Sequence, residues 1–131
     1  MIVLDTHAWV WWIGSPEQIS ERALKAIDEA MDRGEILVSS ISCWEVALLL
    51  RKGRLELTMP VEDWVARSEA LPFVQFIPFD NRIALLSNQL PGSLHEDPAD
   101  RAIIATALTL GAPLVSKDAK IRDYPHVKTV W

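Results

Sequence analysis

The tightest constraint on the fold lies in the first residues. Ile2-Val3-Leu4 is a continuous apolar run, Asp5 ends it, and helical spacing begins at once. A run too short for a helix and without polar alternation reads as a strand covered on both faces, as in parallel sheets. An acid at its C-terminal end lies where open α/β sheets take their ligands, in the crevice past the strand ends. The rest of the chain repeats this scheme. Ile36-Leu37-Val38 and Pro113-Leu114-Val115-Ser116 read as short buried strands, and Phe73–Phe79 as an aromatic strand that Pro78 marks as an edge. Val127–Val130 closes the set.

Between these runs the spacing predicts a helix over 6–13 and another from a Ser20 cap to Arg33-Gly34. Further helices are predicted over 43–52, 60–71, 81–90 and 98–110, with a turn of helix at 118–123. Residues 54–60 form a connector with a hint of alternation at Leu55 and Leu57. Strands alternating with helices imply a three-layer α/β sandwich around a mainly parallel sheet. Right-handed crossovers then bring every strand-to-helix turn to one edge of that sheet.

Composition narrows the function classes. At 131 residues, a single domain spanning 1–131 is expected. The net charge of −5 argues against a general nucleic-acid coat protein, yet does not exclude an enzyme acting on a phosphodiester through metal ions, whose carboxylate ligands themselves make the count negative. One cysteine, Cys43, allows no internal disulfide, and no apolar run reaches the length of a membrane span, so the expected location is cytoplasmic. Six tryptophans are many for this length, and Trp9, Trp11 and Trp12 crowd one short helix. Trp9 and Trp12 share a face there, while Trp11 points elsewhere.

The chemistry rests on acids: Asp5, Glu45, the pair Asp97 and Asp100, and Asp118. Each has an ordinary structural explanation. Asp5 and Asp118 can cap the helices that follow them. Ser42-Cys43-Trp44-Glu45 fits a capping box, and Asp97-Pro98-Ala99-Asp100 a helix start with Pro at its first position. Their joint placement points further, because the strand topology carries them to one edge. Clustered carboxylates repel one another, and divalent cations offset that repulsion. Carboxylates with water suit Mg²⁺ or Mn²⁺ rather than zinc or copper. Two such ions, about 3.5–4 Å apart, can activate water and stabilise a leaving phosphodiester oxygen.

Four motifs in order, Ile-Val-Leu-Asp5-Thr-His, Ser-Cys-Trp-Glu45, Asp97-Pro-Ala-Asp100-Arg-Ala-Ile-Ile-Ala and Leu-Val-Ser-Lys-Asp118, resemble the PIN domain, and within it the VapC-type toxin ribonucleases. The resemblance runs over essentially the whole chain. It implies a parallel five-stranded sheet of order 3-2-1-4-5 and metal-dependent cleavage of RNA. It assigns the catalytic, Mg²⁺- or Mn²⁺-holding acids to Asp5, Glu45, Asp100 and Asp118, with Asp97 as a cap or accessory ligand. Thr6, Ser116, Arg101 and Lys117 are expected near the substrate, while His95 contacts RNA or caps a loop. The implied partners are an RNA substrate, an antitoxin protein lying in a hydrophobic groove over the N-terminal helices, and a second copy of the chain in a homodimer or higher assembly. Trp11 or Trp12 would line that groove or the dimer contact.

Two alternatives stand beside this reading. A catalytically silent PIN domain could serve as an RNA- or protein-binding module, but all four family acids are present. A receiver-like phosphoacceptor domain needs an acid pair after the first strand, where Thr6-His7 stand, and a phosphoacceptor after the third, where only Asp80 is available.

Overall fold

A computed structural model describes residues 1–131. Five strands form one sheet: β1 (Ile2–Leu4), β2 (Ile36–Ser39), β3 (Val74–Ile77), β4 (Leu114–Val115) and β5 (Thr129–Val130). Their order is β3-β2-β1-β4-β5 with every pair parallel, as the resemblance implied. β1 is central: Val3 lies beside Leu37 on one side and Leu114 on the other. The chain runs outward from β1 through β2 to β3, then returns past β1 to β4. The switch point therefore falls between β1 and β4, where such sheets open a crevice beyond their strand ends. β3 is an edge strand, as Pro78 suggested.

Seven helices cover the two faces: α1 (Thr6–Gly14), α2 (Glu21–Asp32), α3 (Ser40–Arg51), α4 (Val61–Glu69), α5 (Asn81–Ser87), α6 (Pro98–Leu110) and α7 (Ala119–Arg122). Successive strand residues point to opposite faces, so β1 feeds two cores at once. Ile2 and Leu4 join Trp9, Ile27, Val46 and Trp64 on one face. Val3 joins Leu37, Ile103, Ile104 and Ile121 on the other. Trp9 is fully buried, tilted against Trp64 with centroids 4.4 Å apart and edge-on to Phe76 at 5.5 Å. Its indole N–H donates to Ser68 at 3.2 Å, which satisfies the one polar atom of a large apolar side chain. No helix is long and apolar enough to cross a membrane.

One local expectation fails, with consequences for the site. The third helix was expected over 43–52, and a capping box with Ser42 was the ordinary structural explanation for Glu45, but α3 begins at Ser40. Ser39, the last residue of β2, caps it by accepting from the Ile41 N–H at 3.2 Å. Strand passes into helix with no loop between them, so Ser42 lies inside the helix and Glu45 stands in its second turn. Ser42 instead accepts a hydrogen bond from Thr6 at 3.0 Å. With its capping role gone, the Glu45 carboxylate is free to face the crevice. The same helix is less enclosed than its apolar sequence suggests: Ser42 and Val46 are buried, whereas Trp44 is 53% exposed.

Candidate metal centre

Past the ends of β1 and β4 opens a cleft of about 370 Å³, lined by the carboxylates of Asp5, Glu45, Asp97, Asp100 and Asp118 together with Thr6, His7, Trp11 and Lys117. The acids arrive on different supports, Asp97 and Asp100 sharing the start of α6. Asp5 leaves the end of β1, where its backbone N–H still pairs with the Val115 carbonyl at 3.1 Å, and its side chain caps α1 by accepting from Ala8 N–H at 2.8 Å. Asp97 caps α6 through the Asp100 N–H at 3.0 Å, with Pro98 at the first helical position. Asp118 caps α7 through the Lys120 N–H at 2.8 Å. For these three the structural explanation holds alongside the clustering: a carboxylate oxygen serves the helix end while the side chain lines the cleft.

Glu45, Asp97 and Asp100 each offer a carboxylate oxygen, and these atoms all lie within 4.8 Å of one another. Asp97 and Asp100 stand three apart at the start of α6, on one helix face. That spacing was visible in the sequence, where Asp97 was read as accessory. Asp5 and Asp118 line the same cleft outside this tight group.

The electrostatics are those of a crowded acidic site. Asp5 is only 7% exposed, and burial pushes its carboxyl up to about 6, against hydrogen bonds from Ser116 and Ala8 that favour the charged form. Glu45 is raised first by burial and then by the charges of Asp100 and Asp97, while a hydrogen bond from Thr6 pulls the other way. Asp100 is raised by burial and by Asp97, opposed by a hydrogen bond from His95. Only Lys117 brings a permanent positive charge into the lining, with its ammonium 5.7 Å from the centre of the Trp11 ring.

The polar residues expected near the substrate divide. Thr6 and Ser116 are buried, and their hydroxyls work on carboxylates instead. Ser116 bonds the Asp5 side chain and accepts from the Asp118 N–H at 3.1 Å; Thr6 donates to Ser42 at 3.0 Å with its hydroxyl within reach of Glu45. Arg101, expected to meet phosphates, instead has its guanidinium turned to main-chain carbonyls: Nε donates to Ser87 at 2.9 Å, and Nη1 reaches Leu94 and His95 at 3.3 and 3.4 Å. Lys117 alone of the four is exposed in the cleft. Three features escaped sequence reasoning: the His95 contact to Asp100, the Thr6–Ser42 link and the place of Trp11. His95 Nε2 lies 2.6 Å from Asp100 Oδ2. Trp11 lines the acidic cleft, its ring tilted against His7 and Trp131 with centroids 5.6 and 6.0 Å away. Trp12 packs against Phe73 instead, and the tryptophan that faces solvent is Trp44.

Comparison with known proteins agrees with this architecture. The PIN domain family model matches residues 2–127. Ribonuclease VapC22 of Mycobacterium tuberculosis is 36% identical over 132 aligned positions, covering 99% of this chain and 98% of the relative. Among solved structures, VapBC2 from Rickettsia felis bound to a promoter DNA fragment superposes with a TM-score of 0.70 at 18% identity, over 98% of this chain and 97% of that one. FitAcB from Neisseria gonorrhoeae does so with a TM-score of 0.66 at 24% identity, over 98% and 96%. The structural likenesses speak to the fold, while the family model and the close sequence relative speak to descent. The chain belongs to the PIN domain family, in its VapC-type group.

Proposed function

We propose that this protein is a Mg²⁺- or Mn²⁺-dependent endoribonuclease, the toxin of a type II toxin–antitoxin pair, with Asp5, Glu45, Asp100 and Asp118 as its catalytic carboxylates. The convergence of carboxylate oxygens from Glu45, Asp97 and Asp100 within 4.8 Å carries this reading. The fit to a hard cation is chemical. The five acids offer only oxygen donors, and Asp5, Glu45 and Asp100 are all held above the ordinary carboxylate range, a strain that a bound cation relieves. Asp5, Glu45, Asp100 and Asp118 would hold the metal, and Asp97 shares the cluster. A divalent ion bound there supplies Lewis acidity toward a phosphodiester and a lowered pKa for water.

The protein's own groups prepare the site. Ala8 N–H and Ser116 fix the Asp5 carboxylate, and the Thr6 hydroxyl lies within reach of Glu45. Lys117 at the rim offsets the charge of an incoming RNA phosphate, a contact that gives affinity without sequence information. RNA as substrate is supported by the ribonuclease among the relatives, and an antitoxin partner by the two-component VapBC and FitAcB structures. An antitoxin segment that blocks the cleft would touch Trp11. In a homodimer, the exposed Trp44 and Phe79, which line one groove with Ile41, are apolar surface that a second copy would cover.

Cleavage of end-labelled RNA by the purified protein, with Mg²⁺, Mn²⁺ or EDTA, tests the reading. Asp100→Asn is expected to fold normally and to lose cleavage by roughly 100-fold or more, since it removes charge that acts on the reacting centre. Wild-type rates in that variant, or undiminished wild-type cleavage in EDTA, would refute the assignment.

A further inference from the structure

His95 enters the acid cluster by direct contact, its Nε2 2.6 Å from Asp100 Oδ2, and both residues are about four-fifths buried. Its other ring nitrogen, Nδ1, is buried with no hydrogen-bond partner. A proton on Nδ1 would be a buried donor without an acceptor, so the proton belongs on Nε2, where it points at Asp100. Asp100 Oδ2 is thereby engaged, and Oδ1 makes no hydrogen bond to the protein.

The loop carrying His95, between α5 and α6, is pinned from several sides. Arg101, next to Asp100 in α6, holds the carbonyls of Leu94 and His95 on one side and Ser87 on the other. Tyr124 donates its hydroxyl to the Pro91 carbonyl at 2.6 Å. Gly92, with φ of +69°, packs so close to His126 that an added Cβ would lie 3.2 Å from its Nε2. A loop braced this thoroughly holds its imidazole at a fixed distance from α6.

We propose that His95 is a positioning residue: from this braced loop it donates Nε2–H to Asp100, sets the orientation of that carboxylate, and leaves the opposite oxygen for a divalent cation. Arg101 acts through His95, by holding its main chain. The inference rests on the metal-site reading and adds to it a residue that touches neither metal nor RNA. Groups that orient a metal-binding side chain in this way commonly change metal affinity by about 10-fold to 100-fold when removed.

Calorimetric titration of the full-length protein with Mn²⁺ alone, in the absence of RNA, reads this directly. His95→Ala is expected to weaken Mn²⁺ binding about tenfold. His95→Gln, whose amide N–H can reach the place of Nε2, is expected to recover most of that loss. Arg101→Lys keeps the charge but loses the planar fork, and should weaken Mn²⁺ binding in the same direction; combined with His95→Ala it should cost nothing more. Independently of any variant, the ¹⁵N shifts of the wild-type imidazole should show the Nε2–H tautomer. Undiminished Mn²⁺ affinity in His95→Ala, with the wild type binding normally, overturns the inference and leaves the metal site standing. An imidazole with no proton on Nε2 does the same, and full additivity in the double variant removes Arg101 from it. A wild-type protein that binds no Mn²⁺ overturns the metal-site reading and this inference with it.

Discussion

Asp5→Asn is expected to stabilise the metal-free protein at neutral pH while destroying its response to divalent ions. Asp5 has an ordinary carboxyl pKa of 3.8 in the unfolded chain and one of about 6 in the folded one, chiefly because it is buried. Between those values the folded state holds the proton that the unfolded state has released, so stability falls as pH rises, and the loss nears its full size about one pH unit above the folded value. The difference of about two units corresponds to ~3 kcal/mol at 1.36 kcal/mol per unit, an upper bound to be read as order of magnitude. Asparagine mimics the protonated acid: its carbonyl can still accept from Ala8 N–H, and its amide can face Ser116. In EDTA at pH 7.5, Asp5→Asn should therefore be the more stable protein, by about 2 kcal/mol in urea denaturation or several degrees in melting temperature. Near pH 4 the two proteins should converge. Adding Mg²⁺ at pH 7.5 should raise the wild type and leave the variant unchanged. A variant less stable than wild type at pH 7.5 in EDTA, or a gap of equal size at pH 4, would refute the electrostatic reasoning.

The other expectations concern packing and partners. Trp9→Ala should destabilise the protein by about 3–5 kcal/mol in urea denaturation, because it empties a fully buried site between Trp64 and Phe76 and strands the Ser68 hydroxyl. Tyr124→Phe removes the tie to Pro91 and should cost about 1 kcal/mol, with faster amide exchange confined to the loop around His95. In a Trp44→Phe background, which removes the most exposed indole, iodide quenching of tryptophan fluorescence should fall when the antitoxin is added, as Trp11 is covered; unchanged quenching would place the antitoxin elsewhere.

The sequence made legible what depends on short-range pattern. Apolar runs of a few residues between helical stretches yield the α/β class. The helix caps at Asp5, Ser20 and Asp97 follow from residue type and position. The strand order and the choice among the acids came from the resemblance, since no local pattern says that β4 returns beside β1. Around Ser39, Ser40 and Ser42 the sequence offers several possible caps, and only the direct passage of β2 into α3 selects Ser39. Side-chain direction was hidden wherever the partner is remote. Thr6 meets Ser42 across 36 residues and Arg101 meets Ser87 across 14, so neither could be distinguished from a residue facing substrate. Asp97 was legible as a cap, and its clustering with Glu45 was not, because that depends on the tertiary fold.

The capping bonds of Asp5, Asp97 and Asp118 also shape how this protein tolerates mutation. Asparagine or serine at these positions can still terminate a helix, whereas alanine leaves an N–H unsatisfied at a helix start, at a cost of about 1 kcal/mol each. Amide and hydroxyl replacements therefore yield proteins that fold, persist and retain their surfaces without the carboxylate. Alanine replacements erode the scaffold together with the site.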